Sequence, residues 1–299
     1  MITRRSDFIS AGKRCAGFLY LPDQKKAGSV PPVVIMAHGF GAEMSFGLQS
    51  YIKEFVNNGL AVYAFDYRSF GESEGKPRQM VHPGRHNQDW QCAIAHVSHL
   101  TEVDTERVAL WGTSLSGGHV LTQAARHLHI KAVVAQIPFV SGPGTIWYLG
   151  IGFALQAVWH GLLDILASLI GRVHRVPIVS DPWVFGCMNR PDSRPGYLAM
   201  IPKKHKGWKN SCPARVALLI PFYRPAGGVR KIRCPVLIIA ANQDTLIPVK
   251  SLASTSESIE DCRLIRLDMG HFDPYHGKTL QRMLELEVDF LTQHLEKTR

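Results

Sequence analysis

A strand-turn-helix segment around residue 114 constrains the fold more than any other part of the chain. Residues 108–111 are apolar, and the sequence Gly-Thr-Ser-Leu-Ser-Gly-Gly follows at 112–118. A sharp turn between a buried strand and a helix holds a serine hydroxyl outward in this context. Two backbone segments pass close together in so tight a turn, so the residues two positions before and two positions after the serine must be small. The pattern predicts that Ser114 is a nucleophile, although Ser116 stands where glycine is usual.

Strand-like and helix-like segments alternate on both sides of this turn. Short apolar runs typical of buried parallel strands lie at 17–21, 32–37, 61–65, 108–111, 132–136, 234–240 and 263–267. Helical patterns, some with a stop signal at their end, lie at 46–57, 87–100, 119–126, 249–258 and 280–295. This alternation predicts an α/β fold with a mostly parallel central sheet and helices on both faces.

The alternation is interrupted over residues 142–228. No regular strand-helix rhythm survives there, and the rhythm resumes with the apolar run that begins at 234. The simplest interpretation is a single sheet domain that carries an insertion. We therefore predict an α/β core formed by residues 1–141 and 229–299 and an inserted, helical lid at 142–228.

The inserted lid contains a strongly apolar stretch at residues 146–170. A transmembrane helix requires about 20 apolar residues, so this stretch is long enough to cross a bilayer. However, Gln156, His160 and Asp164 lie toward its centre, where polar groups are costly in lipid. We predict one or two lid helices with an apolar face over a cleft and no stable membrane span. A second interpretation is that this stretch also contacts a lipid surface.

Cysteine spacing and the polar start of the sequence bear on the compartment and on cofactors. The six cysteines are scattered and form no Cys-x-x-Cys pair, so neither a disulfide framework nor a zinc site is expected. No apolar stretch follows the two arginines near the start, so no secretory signal is expected. We predict a cytoplasmic protein without a bound metal.

The positive charge of the chain is concentrated in one region. The net charge is +10, and residues 172–233 contain thirteen lysines and arginines against two aspartates. These basic residues are interspersed with proline, glycine and tryptophan and match no nucleic-acid-binding motif, so we predict no nucleic-acid partner. The region is then either a solvated basic surface or a contact for an anionic substrate or an acidic protein.

A catalytic serine requires a base within hydrogen-bond reach and a carboxylate that orients the base. In α/β sheets with this turn the chain order is serine, acid, histidine. Asp244 follows the predicted strand at 234–240 and His271 follows the strand at 263–267, so both lie where open α/β sheets place their sites. We predict a catalytic triad of Ser114, Asp244 and His271; nearby competitors for the acid and the base are Asp268, Asp273 and His276.

Two backbone N–H groups must also face the negative charge that develops on a reacting carbonyl oxygen. One is expected from Leu115, which follows the nucleophile. The other is expected from Phe40, because His-Gly-Phe-Gly at 38–41 follows a predicted strand and Gly39 permits an unusual backbone. The imidazole of His38 is expected to order this loop and not to take part in the chemistry.

Five motifs resemble, in order, those of the α/β-hydrolase superfamily. They are His-Gly-Phe at 38–40, the loop at 66–73, the serine turn at 112–118, Asp-Thr-Leu-Ile-Pro at 244–248 and Gly-His-Phe-Asp at 270–273. Within the superfamily, Gly-Thr-Ser-x-Ser-Gly-Gly-His together with His-Phe-Asp-Pro-Tyr is most similar to the dienelactone-hydrolase-like enzymes and polyketide transferases. The resemblance implies acyl chemistry on an ester or thioester, with no metal or organic cofactor.

The predicted function is that of a serine hydrolase that cleaves a small-molecule ester or thioester through an acyl-enzyme. One alternative is an acyltransferase, such as a polyketide transferase, that passes the acyl group to an alcohol or amine. The basic region then suits an acyl-carrier protein or a coenzyme A thioester. Another alternative is an inactive hydrolase fold that binds a ligand or a partner. An enzyme with a carboxylate nucleophile is not expected, because a serine occupies the turn.

Overall fold

A mostly parallel sheet of eight strands forms the centre of the computed structural model, which describes residues 1–23 and 30–296. The strands are β1 (Ile2–Arg5), β2 (Phe8–Ser10), β3 (Lys13–Cys15), β4 (Gly17–Leu21), β5 (Pro32–Ala37), β6 (Ala61–Phe65), β7 (Asp104–Thr113), β8 (Ala132–Gln136), β9 (Arg175–Val176), β10 (Cys212–Pro213), β11 (Val236–Ala241) and β12 (Cys262–Leu267). The large sheet has the order β1-β4-β6-β5-β7-β8-β11-β12, and only β1 with β4 and β4 with β6 pair antiparallel. The predicted α/β fold is confirmed.

Helices cover both faces of this sheet. They are α1 (Gln49–Asn57), α2 (Pro83–Val97), α3 (Leu115–Ala124), α4 (Gly142–Leu149), α5 (Ile151–Leu169), α6 (Ser193–Ala199), α7 (Val216–Leu219), α8 (Val249–Ser256) and α9 (Gly277–Leu295). Alternate residues of β5 enter two separate cores. Val33 and Ile35 lie in the core that contains α2 and α3, whereas Val34 and Met36 lie in the core that contains α1 and α9. A strand covered on both faces requires such an unbroken apolar run.

Strand β7 and helices α2 and α3 each begin four residues before their predicted starts. Helix α3 begins at Leu115, directly after the serine of the turn and four residues before the predicted start. Helix α2 begins at Pro83, also four residues early, and the ring Nδ1 of His82 accepts a hydrogen bond from the Arg85 N–H at its cap. A proline in the first turn is a normal start signal. Apolar spacing alone points to a later start because the first turn of α2 is largely polar.

The inserted residues 142–228 contain α4 to α7 and the short antiparallel pair β9–β10. Helix α4 ends at Leu149, and the next residue, Gly150, has a φ of 95° that favours glycine and turns the chain into α5. Helix α5 is fastened to the protein by Asp164, which is fully buried. Its carboxylate accepts hydrogen bonds from the Arg215 guanidinium at 2.6 and 3.1 Å and from the backbone N–H groups of Arg215 and His174 at 2.9 Å. Asp164, the acidic residue inside the apolar stretch, thus fixes α5 to the rest of the protein. The division into core and lid stays a prediction.

A second buried carboxyl group, Glu287 of α9, lies beside the strand that leads to Ser114. Its Oε2 accepts a hydrogen bond of 2.7 Å from the indole N–H of Trp111 on β7, and its side chain is inaccessible to solvent. Burial raises the pKa of Glu287 from its ordinary value of 4.5 to about 8, and the hydrogen bond from Trp111 only partly opposes this shift. The folded protein therefore holds a proton on Glu287 at neutral pH, whereas the unfolded chain releases it.

We expect Glu287→Gln to remove one pH-dependent loss of stability. Between pH 4.5 and 8 the folded state binds this proton and the unfolded chain does not. This group therefore lowers the free energy of unfolding as pH rises, by up to about 1.4 kcal/mol per pH unit. Glutamine keeps an acceptor for Trp111 and does not titrate. Thermal unfolding of the variant should match the wild type near pH 5 and exceed it near pH 9.

The matched control is Glu285→Gln, because Glu285 lies on the same helix with its carboxylate exposed beside Arg282. This variant should keep the pH dependence of the wild type. If wild type and Glu287→Gln lost stability equally between the two pH values, the buried proton on Glu287 would be excluded.

Candidate active site

The turn between β7 and α3 holds Ser114 in a strained conformation. Its φ of 54° and ψ of −119° lie in a region that side chains other than glycine rarely adopt. A Cβ atom on Gly112 would overlap the carbonyl of Ser116, and one on Gly118 would overlap the carbonyl oxygen of Phe139. Both obstacles are backbone atoms that cannot move aside. Gly112 and Gly118 are therefore required, because backbone segments pass too close to them for a side chain in the turn that exposes the hydroxyl group of Ser114.

Three side chains at the carboxyl ends of parallel strands are joined by two hydrogen bonds. Ser114 Oγ lies 3.1 Å from His271 Nε2, and His271 Nδ1 lies 2.7 Å from Asp244 Oδ2. The other carboxylate oxygen of Asp244 accepts the backbone N–H groups of Leu246 and Ile247 at 2.7 and 2.8 Å. The imidazole and the carboxylate are both buried. The structure thus brings together the three predicted residues in the geometry of a nucleophile, a base and an orienting acid.

The other candidates for the acid and the base, which lie in or near the same loops, do not take part in these hydrogen bonds. Asp268 accepts a hydrogen bond from the amide of Asn242 at 2.6 Å, and Asp273 accepts the N–H of Gly270 at 2.7 Å. The side chain of His276 is exposed at the start of α9. Asp268 and Asp273 are therefore structural residues of their loops, as acidic side chains in turns commonly are.

The loop after β5 passes directly over the serine. A Cβ atom placed on Gly39 would lie 3.2 Å from Ser114 Cβ, so this position leaves little room for a side chain. Phe40 and Leu115 line the same cavity as Ser114. Leu115 is the first residue of α3, and the first N–H groups of a helix have no acceptor within that helix. Their roles as the two oxyanion donors stay a prediction.

The imidazole of His38 is buried beneath this loop. Its Nδ1 lies 3.0 Å from the carbonyl oxygen of Gly39, and its Nε2 lies 3.6 Å from Asp66. Burial lowers the pKa of His38 to about 4, so the ring is neutral near pH 7. Asp66 in turn accepts the backbone N–H of Met44 at 2.7 Å. These contacts are those of a residue that orders the loop.

The sequence matches a family model described as "Alpha/beta hydrolase family" over residues 34–280. The chain belongs to the alpha/beta hydrolase family. It is 33% identical over 285 residues to "Quorum-quenching protein AidA" of Acinetobacter baumannii (strain MDR-ZJ06), covering 95% of this chain and 92% of that protein. It is 22% identical over 275 residues to "Polyketide transferase af380" of Aspergillus fumigatus, covering 89% of this chain and 90% of that protein. These relatives confirm the predicted resemblance.

A solved structure shares the fold of this alpha/beta hydrolase along nearly its whole length. The structure titled "The structure of DcsB complex with its substrate analogue" superimposes with a TM-score of 0.84 at 20% sequence identity. The match covers 98% of this chain and all of that chain. At this identity the likeness establishes the fold alone.

Two aromatic residues of the insertion hold the loop after β5, and sequence patterns did not reveal them. The Tyr197 hydroxyl donates to the carbonyl oxygen of Phe40 at 3.0 Å, and the Trp208 indole N–H donates to that of Gly41 at 2.9 Å. The two rings stack with their centroids 5.7 Å apart. The segment 142–228 therefore positions the peptide units next to the predicted oxyanion donor at Phe40.

The serine that replaces glycine in the turn is part of a buried hydrogen-bonded chain. Ser116 Oγ lies 2.8 Å from the Tyr67 hydroxyl, which also accepts the indole N–H of Trp90 at 2.9 Å. A buried hydroxyl group is costly only when it lacks a partner. Serine can stand in place of glycine here because its hydroxyl group has the Tyr67 hydroxyl as a hydrogen-bond partner.

The cavity above Ser114 has almost entirely apolar walls. Its volume is about 90 Å³, and its polar lining groups are Ser114, Thr145 and His271. The apolar lining consists of Phe40, Leu115, Phe139, Ile146, Leu149, Phe153, Ala157, Phe185, Cys187, Met188, Val216, Ala217, Ile220, Leu246 and Ile247. More than half of the lining comes from residues 142–228. Within the described part of the chain, no lysine, arginine or carboxylate lines it.

A smaller cavity of about 20 Å³ lies against the same serine. It shares Phe40, Ser114, Met188 and His271 with the larger cavity and adds residues such as Phe272 and Tyr275. Two cavities with these four residues in common thus lie against one hydroxyl group. Among residues 1–23 and 30–296, no group of three or more histidine, cysteine and acidic side chains could hold a metal ion.

Proposed function

We propose that this chain is a serine hydrolase that cleaves an ester or thioester with a neutral, apolar acyl group. The observation that carries the proposal is the hydrogen-bonded line from Ser114 through His271 to Asp244 at one end of an apolar cavity. Hydrogen-bond distances of this size are those expected of an activated nucleophile. Membership of the alpha/beta hydrolase family supports the same reaction class.

In the proposed reaction, His271 Nε2 accepts the proton of Ser114 as Oγ attacks the carbonyl carbon. The backbone N–H groups of Phe40 and Leu115 stabilise the resulting oxyanion. The intermediate then collapses: the bond to the alcohol or thiol breaks, His271 donates its proton to that leaving group, and the acyl group stays on Ser114. Water then attacks the acyl carbon while His271 Nε2 accepts its proton. The bond between the acyl carbon and Ser114 Oγ breaks, His271 returns the proton to Oγ, and the free acid leaves. Asp244 stabilises the imidazolium in both halves of the reaction.

The cavity lining supports an uncharged acyl group. Its apolar walls would bind an aliphatic chain but would leave a carboxylate without a partner, and an unpaired buried charge costs several kcal/mol. A butanoyl thioester and its succinyl counterpart differ by a terminal carboxylate. We expect the neutral substrate to have a kcat/KM higher by about 100-fold or more.

The test combines turnover with the mass of the intact protein. A panel of p-nitrophenyl esters and acyl thioesters is incubated with the protein, and product release is followed beside the protein mass. A transient acyl adduct on Ser114 with steady release of free acid supports the hydrolase. No adduct and no product with any member of the panel would move the proposal to a ligand-binding protein with an inactive hydrolase fold.

We also propose acyl transfer as a second candidate function, because a second cavity reaches the serine. An alcohol or amine group in the smaller cavity would lie beside Ser114 and His271, where it could accept the acyl group. The name of the relative af380 supports this candidate, and an acyl-carrier or coenzyme A thioester is then a possible donor. An acyl adduct that persists in buffer and is discharged only when an alcohol or amine is added supports transfer. Release at the same rate without an acceptor contradicts it.

We expect Tyr197→Phe to lower kcat with little change in KM. The variant keeps the ring that stacks on Trp208 but loses the hydrogen bond to the carbonyl oxygen of Phe40. One hydrogen bond contributes about 1 kcal/mol, so kcat for a short ester should fall about three- to tenfold. Initial rates over a range of substrate concentrations separate the two constants.

Tyr63→Phe is the matched control, because its hydroxyl donates to the carbonyl oxygen of Ser6 far from the serine. It removes one hydrogen bond of the same type and should leave kcat unchanged. A purely structural role of Tyr197 would instead give both variants a lower melting temperature and an unchanged kcat.

A further inference from the structure

Helix α5 presents an apolar face to solvent, which we define as the outer face of α5. It consists of the exposed side chains Ile151, Leu155, Val158, Trp159, Leu162, Ile165, Leu166 and Leu169. These residues recur at helical spacing, so they form one stripe. Leu169 is 77% exposed and Leu166 is 60% exposed. Soluble monomers rarely leave so large an apolar stripe uncovered, and such surfaces mark contacts with proteins or membranes.

Exposed tryptophans border the outer face of α5. Trp147 at the end of α4 is 89% exposed, and Trp183 is 83% exposed. The loop that carries Trp183 lies beside α5, because the ring of Phe185 stacks on that of His160 at 4.7 Å. Tryptophan has an apolar body and one polar N–H, and it is enriched where hydrocarbon meets lipid headgroups.

The opposite side of α5 is fixed to the protein. Asp164 is fully buried and paired with Arg215, and the side chains of Phe153 and Ala157 line the cavity above the serine. By length and composition α5 could cross a membrane. A crossing would require this ion pair and the cavity wall to be pulled apart, at the cost of a buried charge. The helix can therefore meet lipid only along its outer face, parallel to the membrane plane.

The charges near the outer face of α5 indicate which kind of partner surface it would bind. Among the described residues, α5 exposes no charged side chain. Arg190 donates to the carbonyl oxygens of Tyr148 and Leu149 at the turn between α4 and α5, and Arg172 is exposed just beyond the end of α5. Both belong to the basic region 172–233. A second copy would bring the same positive region against itself, whereas anionic headgroups complement it.

We propose that the outer face of α5 docks on an anionic phospholipid surface, with α5 lying in the plane of the interface. The same helix then separates the lipid from the cavity above Ser114, so an apolar acyl substrate could reach the cavity from the bilayer. This last consequence rests on the proposed function. The docking itself does not, because it depends on side chains that do not line the cavity.

The test is flotation with lipid vesicles. Wild-type protein and the Ser114→Ala variant should both float with phosphatidylcholine vesicles that contain about 30% phosphatidylglycerol, and less with phosphatidylcholine alone or at high salt. The double variant Leu162→Glu/Leu166→Glu should bind at least about tenfold more weakly, because it places two charges in the outer face of α5 that would contact the lipid. Leu128→Glu is the matched control, since Leu128 is 74% exposed outside the insertion, and it should bind as the wild type does.

Several outcomes would overturn the docking proposal. Equal binding by the double variant and Leu128→Glu excludes the outer face of α5, and no flotation of the wild type excludes a lipid surface. Resistance to extraction by alkaline carbonate indicates a helix that spans the bilayer. A dimer in light scattering that only the double variant dissociates, without flotation, identifies a second copy as the occupant. Turnover of a short soluble ester by both leucine variants checks their folding, and its absence in the wild type counts against the proposed function alone.

Discussion

Replacement of Ser114 with alanine is expected to reduce kcat/KM for a short acyl ester by about 10⁴-fold or more. The variant removes the hydroxyl group that lies 3.1 Å from His271 Nε2 and leaves the cavity and the turn in place. Without Oγ no acyl-enzyme can form, and the remaining groups can only assist direct attack by water. The measurement is the initial rate of ester hydrolysis beside the intact mass after exposure to a fluorophosphonate probe, which should label the wild type only.

The control for this variant is Ser254→Ala, because Ser254 is an exposed serine of α8 away from the cavity. It should keep the wild-type rate and the wild-type label. Equal melting temperatures of the two variants exclude a folding defect. If Ser114→Ala kept the ester rate, the serine mechanism would be wrong, even though the line of hydrogen bonds is present.

Much of the fold follows from the sequence because the sheet is buried on both faces. The residues of β4, β5, β6 and β8 form short apolar runs, and the structure gives these strands the predicted bounds. A buried parallel strand requires such a run, whereas β1 is exposed along its length and carries no comparable pattern. It lies at the sheet edge, and among the described strands it pairs only with β4. Apolar runs in the sequence therefore do not reveal a strand that is exposed to solvent.

The position of the candidate triad also follows from the sequence, since the carboxyl ends of parallel strands meet at one edge of the sheet. Asp244 and His271 follow strands that are neighbours, so they are close in space although 27 residues apart in the chain. The support from Tyr197 could not be predicted in this way. It lies in an insertion without periodicity and reaches Phe40 across 157 residues of sequence. A contact of that kind depends on tertiary packing alone.

The apolar stretch at 146–170 illustrates the same limit. Its composition predicted lid helices, and the structure has α4 and α5 there. Composition does not indicate which side of a uniformly apolar helix is covered. That side is determined by Asp164, whose pairing with Arg215 fixes the inner face and leaves the leucines of the outer face of α5 exposed. A lone acidic residue, read from sequence as an argument against a membrane span, thus orients the helix.

Asp244→Asn is expected to lower kcat by about 10⁴-fold, because it moves the imidazole proton of His271 from Nδ1 to Nε2. In the wild type, Oδ1 of Asp244 accepts two backbone N–H groups, and Oδ2 faces His271 Nδ1. The amide oxygen of asparagine must keep the position of Oδ1, because an amide NH₂ there would face two donors. The NH₂ group then faces Nδ1, which must accept. The imidazole proton moves to Nε2, and this nitrogen can no longer accept the proton of Ser114.

This explanation differs from a loss of packing, since asparagine has nearly the shape of aspartate. The variant should therefore fold normally, bind substrate with a similar KM and fail to form the acyl-enzyme, which single-turnover measurement of the protein mass would reveal. Asp268→Asn and Asp273→Asn are the matched controls, because both side chains occupy turns near the same site without facing the imidazole. A wild-type rate in Asp244→Asn together with a large loss in either control would transfer the role of the acid to that residue.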